Sequence, residues 1–194
     1  MQTFYSDSTW VKPPGVSHVY MMLIGGGGNG DGAVTGGGSG AVTTWYGAAQ
    51  HVPNSLVVTV STGDSVNTIV RYRSASAVVA LLTANGATTF TFGTAMSANQ
   101  FAASGFFQSV QGQAGSLASS AASTTTFLSG GADTSTDTVT ANYGYTSPAD
   151  NNGYFQMQPI IVGVGASGAN KGGIGCGGGR SGVGGPGLVL IASW

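Results

Sequence analysis

Asp133 and Asp137, in Ala132-Asp133-Thr134-Ser135-Thr136-Asp137, are the close carboxylate pair of this chain. Two carboxylates flanking a cleft are what glycoside hydrolysis requires. The same oxygens would suit calcium, as would Asn29 with Asp31 or Asp150 with Asn151, since that ion takes six or more oxygen ligands from loops. Asx-turn chemistry accounts for all of these residues without a metal, because Asn and Asp side chains bond their own backbone in turns. Gly25-Gly26-Gly27-Gly28-Asn29-Gly30 and Gly163-Val164-Gly165-Ala166-Ser167-Gly168 both fit G-x-G-x-x-G after a strand-like run. A dinucleotide site needs a helix next, with its N-terminus on the pyrophosphate. After the second motif comes Ala169-Asn170-Lys171-Gly172-Gly173-Ile174-Gly175-Cys176, and each glycine costs a helix about 1 kcal/mol relative to alanine. Ser39, Ser167 and Ser181 lie in no G-x-S-x-G elbow, and Lys171 is followed by Gly172 rather than Ser or Thr. His18 sits in an apolar run and His51 near Pro53. Cys176 stands alone, so it forms no intrachain disulfide and is isolated from the ligands a zinc site needs. The expectation is no catalytic residue, no cofactor and no metal; the chain is read as a non-enzyme.

Aromatic residues outnumber charges, and most belong in a core. Tyr143, Tyr145 and Tyr154, flanked by Gly, Asn and Ser, have the composition of a binding loop, where rigid rings supply contact area. If a host receptor is bound, Asn29, Asp31, Tyr143, Tyr145, Asn151 and Tyr154 are the expected contacts.

Charged residues are 6% of the chain, the net charge is −1, and every acid is Asp. An ordinary soluble domain carries about 25% charge. Ser, Thr, Asn, Gln and bare backbone must therefore solvate the surface, which suits a protein that assembles or stands outside a cell. Five scattered cations supply no basic stripe, so nucleic acid is not an expected partner. No apolar run reaches the roughly 20 residues of a membrane span, and Met-Gln-Thr-Phe-Tyr-Ser-Asp does not open a signal peptide.

Val, Thr, Tyr and Phe dominate the ordered-looking segments, and turn residues recur at short intervals. That pattern predicts an all-β antiparallel sandwich, jelly-roll-like, with glycine-rich loops. One domain over 1–194 is expected, with an irregular insert at about 93–137. Strands are predicted at Phe4–Val11, Val16–Ile24, Ala41–Tyr46, Leu56–Ser61, Val66–Tyr72, Ala77–Thr83, Thr88–Phe92, Thr138–Tyr145, Tyr154–Val164 and Leu188–Ser193. Ala84-Asn85-Gly86 reads as a hairpin turn, and Gln100–Val110 as room for one short helix.

The 35 glycines concentrate in two tracts, one after Val16–Ile24 and one before Leu188–Trp194. Glycine loses the most backbone freedom on folding. Such tracts are either mobile or packed as bare backbone where no side chain fits; the second is expected, between β-layers or protomers. Val16–Ile24 and Leu188–Ala192 are apolar on both faces, and an open two-layer sandwich needs one apolar face per strand. The glycine tracts or a second subunit must cover the other face. A subunit contact is expected for at least one of them, at Tyr20, Met21, Met22, Leu188, Leu190 and Trp194.

Trp10-Val11-Lys12-Pro13-Pro14-Gly15-Val16-Ser17-His18-Val19, followed by Ile24-Gly25-Gly26-Gly27-Gly28, resembles the opening of the glycine-rich domain of tailed-bacteriophage virion proteins. Gly182-Val183-Gly184-Gly185-Pro186-Gly187-Leu188-Val189-Leu190-Ile191 is similar to its close, and Val57–Val60 with Thr62-Gly63-Asp64-Ser65-Val66 to its middle. About a third of the chain is covered. The resemblance implies an all-β virion component of the tail-fibre, spike or capsid-surface type. Some distal adhesins of this kind stack their glycine segments as polyglycine II helices. The tracts here are shorter and more interrupted, and a long N-terminal shaft is not expected. The expected partners are further copies of the chain, with a trimer favoured, and other virion proteins. A host-surface glycan-binding adhesin is the alternative function, and a tail-associated depolymerase acting through Asp133 and Asp137 is the third.

Overall fold

The computed structural model describes residues 1–33, 35–115, 128, 144–145, 161–162 and 169–194. Its strands are β1 (Gln2–Phe4), β2 (Ser8–Val11), β3 (His18–Ile24), β4 (Val42–Ala48), β5 (Ser55–Thr59), β6 (Thr68–Arg73), β7 (Val78–Ala84), β8 (Phe106–Val110), β9 (Gly144–Tyr145), β10 (Ile161–Val162) and β11 (Leu188–Ser193). A five-stranded sheet runs β1-β11-β3-β4-β8 and a four-stranded sheet runs β2-β5-β6-β7; β9 and β10 pair separately. Every pairing is antiparallel. The chain is an all-β sandwich of two antiparallel sheets. The described residues contain no α-helix, and none of their helical turns is long and apolar enough to cross a membrane.

Alternation along the strands builds the core. Val19, Met21 and Leu23 of β3, Trp45 of β4, and Val189 and Ile191 of β11 face Trp10, Leu56, Val58, Val70 and Leu82 of the other sheet. Thr43 ties the layers, its hydroxyl bonding the Thr83 carbonyl at 2.8 Å. Lys12 closes one end, its Nζ donating to the carbonyls of Ala49 (3.0 Å) and Val52 (2.7 Å) around a single 3₁₀ turn at Ala49–His51.

The opposite parity, Tyr20, Met22 and Ile24 of β3 with Leu188 and Leu190 of β11, forms a second apolar cluster on the outer face of the five-stranded sheet. Leu128, Ile174 and Cys176 of the same chain pack onto it. The doubly apolar strands thus find cover from the chain's own return path. Burial pushes the Tyr20 phenol well above its ordinary value. The unfolded tyrosine ionises near pH 10, so Tyr20 adds no pH dependence below that. Above it the unfolded chain releases a proton the native chain keeps, and stability falls as pH rises, by up to about 1.4 kcal/mol per pH unit. Urea midpoints measured on either side of pH 10 should show this alkaline decline, and Tyr20→Phe should lessen it.

Several predicted elements come out differently. Phe4–Val11 is two strands in two sheets, because Asp7 turns the chain and its Oδ1 accepts the Val60 N–H at 2.9 Å. The hairpin at Asn85-Gly86 does not form and Thr88–Phe92 is not a strand; Asn85 leaves β7 and its carbonyl accepts the Ala41 N–H at 2.9 Å. In place of a helix within Gln100–Val110 stand one 3₁₀ turn, Ala102–Ser104, and the edge strand β8. The strands predicted at Thr138–Tyr145 and Tyr154–Val164 lie mostly outside the described residues, which retain only β9 and β10 of them.

Candidate functional site

The strand ends adjoining the glycine-rich segments all lie at one end of the sandwich. β3 ends and β4 begins there, β7 and β8 end there, and β11 begins there. The connecting segments carry no strand assignment, yet their backbone bonds repeat in register. Gly25 N–H donates to Ala41 O (2.9 Å) and Gly28 N–H to Gly38 O (2.8 Å). Gly27 N–H donates to Gly185 O and Gly30 N–H to Gly182 O, both at 2.9 Å. Each step of three along one segment is a step of three back along its partner.

Residues 37–41 make the rule plainest. Gly37 and Gly40 donate to Gly178 and Gly175, Gly38 and Ala41 to Thr88 and Asn85, and Ser39 to Gln113. Three successive N–H groups therefore serve three different neighbours, and the fourth returns to the first. A β-strand repeats every two residues. A repeat of three with every bond directed outward is the geometry of the left-handed extended helix that proline- and glycine-rich chains adopt. The short, interrupted tracts do form a lattice of such helices.

Glycine is required here for thinness. In the described chain only Gly15, Gly32, Gly63 and Gly175 have positive φ among the glycines. The lattice glycines hold backbone angles open to other residues, but a Cβ on Gly27 would overlap the Cys176 carbonyl, one on Gly37 the Gly28 carbonyl, and one on Gly184 the Gly27 carbonyl. Ser39 is tolerated because its buried hydroxyl accepts the Gln113 N–H at 2.7 Å.

The expected receptor contacts fall into two groups. Asn29 and Asp31 hold the lattice: Asn29 Oδ1 accepts the Gly184 N–H (2.9 Å), and Asp31 Oδ1 accepts those of Ala33 (2.8 Å) and Thr35 (2.9 Å). For Asp31 this is the Asx-turn reading, whereas Asn29 ties two segments that are distant in the chain. Tyr143, Asn151 and Tyr154 lie outside the described residues, as do Asp133, Asp137 and Gly163–Gly168, and of Tyr145 only the backbone in β9 is described. Of the expected assembly residues, Met21 lies between the sheets, and Tyr20, Met22, Leu188 and Leu190 are buried under the chain's own cover. Trp194 is exposed. Cys176 is fully buried.

At the opposite end lies a feature that residue types alone do not reveal. Trp194 after β11, His18 on β3, Tyr46 on β4 and Phe106 on β8 share the outer face of the five-stranded sheet and stack on one another there. Their signal is parity: His18 precedes Tyr20 and Met22 by even steps, and Tyr20, Tyr46 and Phe106 are successive cross-strand partners. Phe106 is 78% and Trp194 44% exposed. Elsewhere a cleft of about 430 Å³ is lined by His51, Leu81, Asn99 and Phe101 among others. Asn99 is committed there, its Nδ2 bonding the Leu81 carbonyl at 2.9 Å and so shielding the edge of β7. Among the described residues no three His, Cys, Asp or Glu side chains gather to hold a metal.

The fold and these features define a β-sandwich carrying a polyglycine lattice at one end and an aromatic row at the other. No family model matches the chain, and no curated protein matches it in sequence.

Proposed function

We propose that the chain is a non-enzymatic structural protein of a bacteriophage particle, exposed on the virion surface and oligomeric, as a capsid decoration, spike or tail-fibre component. One observation carries the reading. The three stretches that resemble the phage glycine-rich domain are distant in sequence and converge at a single place. The closing stretch pairs with the opening one, Leu188 against Ile24. The middle stretch reaches both: Ser61 O, within it, accepts the Gly187 N–H at 2.8 Å, and Asp64 Oδ1 accepts the N–H of Asn29, the residue after the opening stretch, at 3.4 Å. A lattice of bare backbone needs no charged surface for its order, which fits the sparse charge of the chain.

Immunogold labelling of intact particles from the source of the chain tests the virion reading, with antibody raised against the folded protein. Label at a regular position on the particle is expected, and particles that stay bare both intact and disrupted would contradict it. Sedimentation tests oligomerisation, and a strict monomer at all concentrations would remove that half.

A further inference from the structure

We propose that the free edge of β8 is a self-association surface, which pairs antiparallel with β8 of a second copy and joins two five-stranded sheets into one. The inference rests on the oligomeric half of the proposed function, to which it gives a surface, and not on the virion half. It makes a twofold dimer in place of the expected trimer.

The edges of the two large sheets differ in how they are protected. A sheet edge carries unpaired N–H and C=O groups that template another strand, and folded proteins blunt it with short strands, bulges, charges, proline or a covering segment. The edges here are β1 and β8 of one sheet and β2 and β7 of the other. The register of β7 against β6 shifts between Val70 and Arg71, its Thr83 N–H donates to Met96 Sδ at 3.2 Å, and its Leu81 carbonyl accepts from Asn99 Nδ2 at 2.9 Å. β1 is three residues long. β2 is four residues long and runs into Lys12-Pro13-Pro14. β8 has none of these devices. Its five residues, Phe-Phe-Gln-Ser-Val, include no charge, proline or glycine, and they pair with β4 without a register shift. Among the described residues no loop backbone and no side chain bonds the backbone of Phe106–Val110. The alternate N–H and C=O groups that point away from β4 are therefore open. No residue of β8 is buried, and Phe106 is 78% exposed.

The side chains of β8 then select its partner. A twofold contact pairs a strand with its own sequence reversed. Centred on Gln108, all five residues are used: Phe106 meets Val110 of the second copy, Phe107 meets Ser109, and Gln108 meets Gln108. Phe106 lies on the outer face beside its cross-strand partner Tyr46, so Gln108 and Val110 share that face by alternation. The pairing there sets an aromatic ring against a β-branched side chain twice, with two amides between them that each carry a donor and an acceptor. No like charges meet across the axis. A chain with 6% charged residues and a net charge of −1 does not hold its copies apart. An unrelated strand would find the same backbone groups but not this self-matching order.

Sedimentation velocity at low salt tests the surface. Wild type should show a concentration-dependent dimer. Gln108 is exposed, so Gln108→Lys and Gln108→Glu leave the fold alone but set like charges opposite each other across the axis. Each variant should dimerise about five-fold more weakly than wild type, and an equimolar mixture of the two should associate more tightly than either alone. Deuterium uptake over residues 106–110 should slow as the wild-type concentration rises. A wild type that stays monomeric at every concentration, which would leave the edge to a strand of another protein, overturns both this inference and the oligomeric reading. Three results overturn the inference alone: an oligomer of unchanged affinity in Gln108→Lys, a mixture no tighter than the single variants, or uptake over 106–110 that is independent of concentration.

Discussion

Gly27→Ala should unfold or badly destabilise the protein, whereas Gly15→Ala should cost at most about 1–2 kcal/mol. The added methyl at Gly27 meets the Cys176 carbonyl, which belongs to another lattice segment and is itself bonded by the Gly185 N–H at 2.9 Å. Gly185 O in turn accepts the Gly27 N–H, so parting Gly27 from Cys176 disturbs both bonds of this circuit. Overpacking costs about 1–3 kcal/mol, and each lost bond between groups that stay buried adds about 1–3 kcal/mol. The total, more than about 3 kcal/mol, is a large share of a typical domain's stability. Gly15 has φ +78° and nothing lies within 4 Å of the position a methyl would take, so alanine there meets only the left-handed penalty of about 1–2 kcal/mol. Part of this is offset by the less flexible unfolded chain. Denaturant midpoints of the two variants measure the contrast. It inverts the ordinary expectation that a positive-φ glycine is the costly one to replace.

Leu190→Ala should cost about 2–5 kcal/mol, and the cost should be the same after about a hundred-fold dilution of the protein. Leu190 is fully buried on the outer face of the five-stranded sheet, in the cluster that includes Leu128 and Cys176 of its own chain. Truncation removes buried methyl groups and leaves a cavity inside one protomer. Were Leu190 part of a contact between copies, dilution would dissociate the wild type and erase the difference. Urea unfolding of wild type and variant at both concentrations distinguishes the cases.

These two residues also mark how far the sequence could be read. That β3 and β11 are apolar on both faces is visible in Val19-Tyr20-Met21-Met22-Leu23-Ile24 and Leu188-Val189-Leu190-Ile191. What covers the second face is not visible, because Leu128 and Ile174 reach it from segments whose composition announces no contact. Dense glycine signals bare-backbone packing, but the threefold register emerges only from which N–H meets which carbonyl. Asn85-Gly86 shows the same limit. Its hairpin signature is local, but a Cβ on Gly86 would overlap the Val66 carbonyl, so this glycine serves a close approach and not a tight turn. The aromatic row is illegible for a different reason. His18, Tyr46, Phe106 and Trp194 are far apart in the chain, and only the pairing order of four strands brings them together.

The most direct test of the lattice is amide hydrogen exchange, resolved by peptide, over 25–30, 36–41 and 172–187. A hydrogen-bonded lattice predicts protection approaching that of β3 and β11 at the N–H groups of Gly25, Gly27, Gly28, residues 37–41, Cys176, Gly178 and Gly185, which are bonded and buried with the core. Exchange of these segments at the rate of an unstructured peptide, with the two strands still protected, would contradict it.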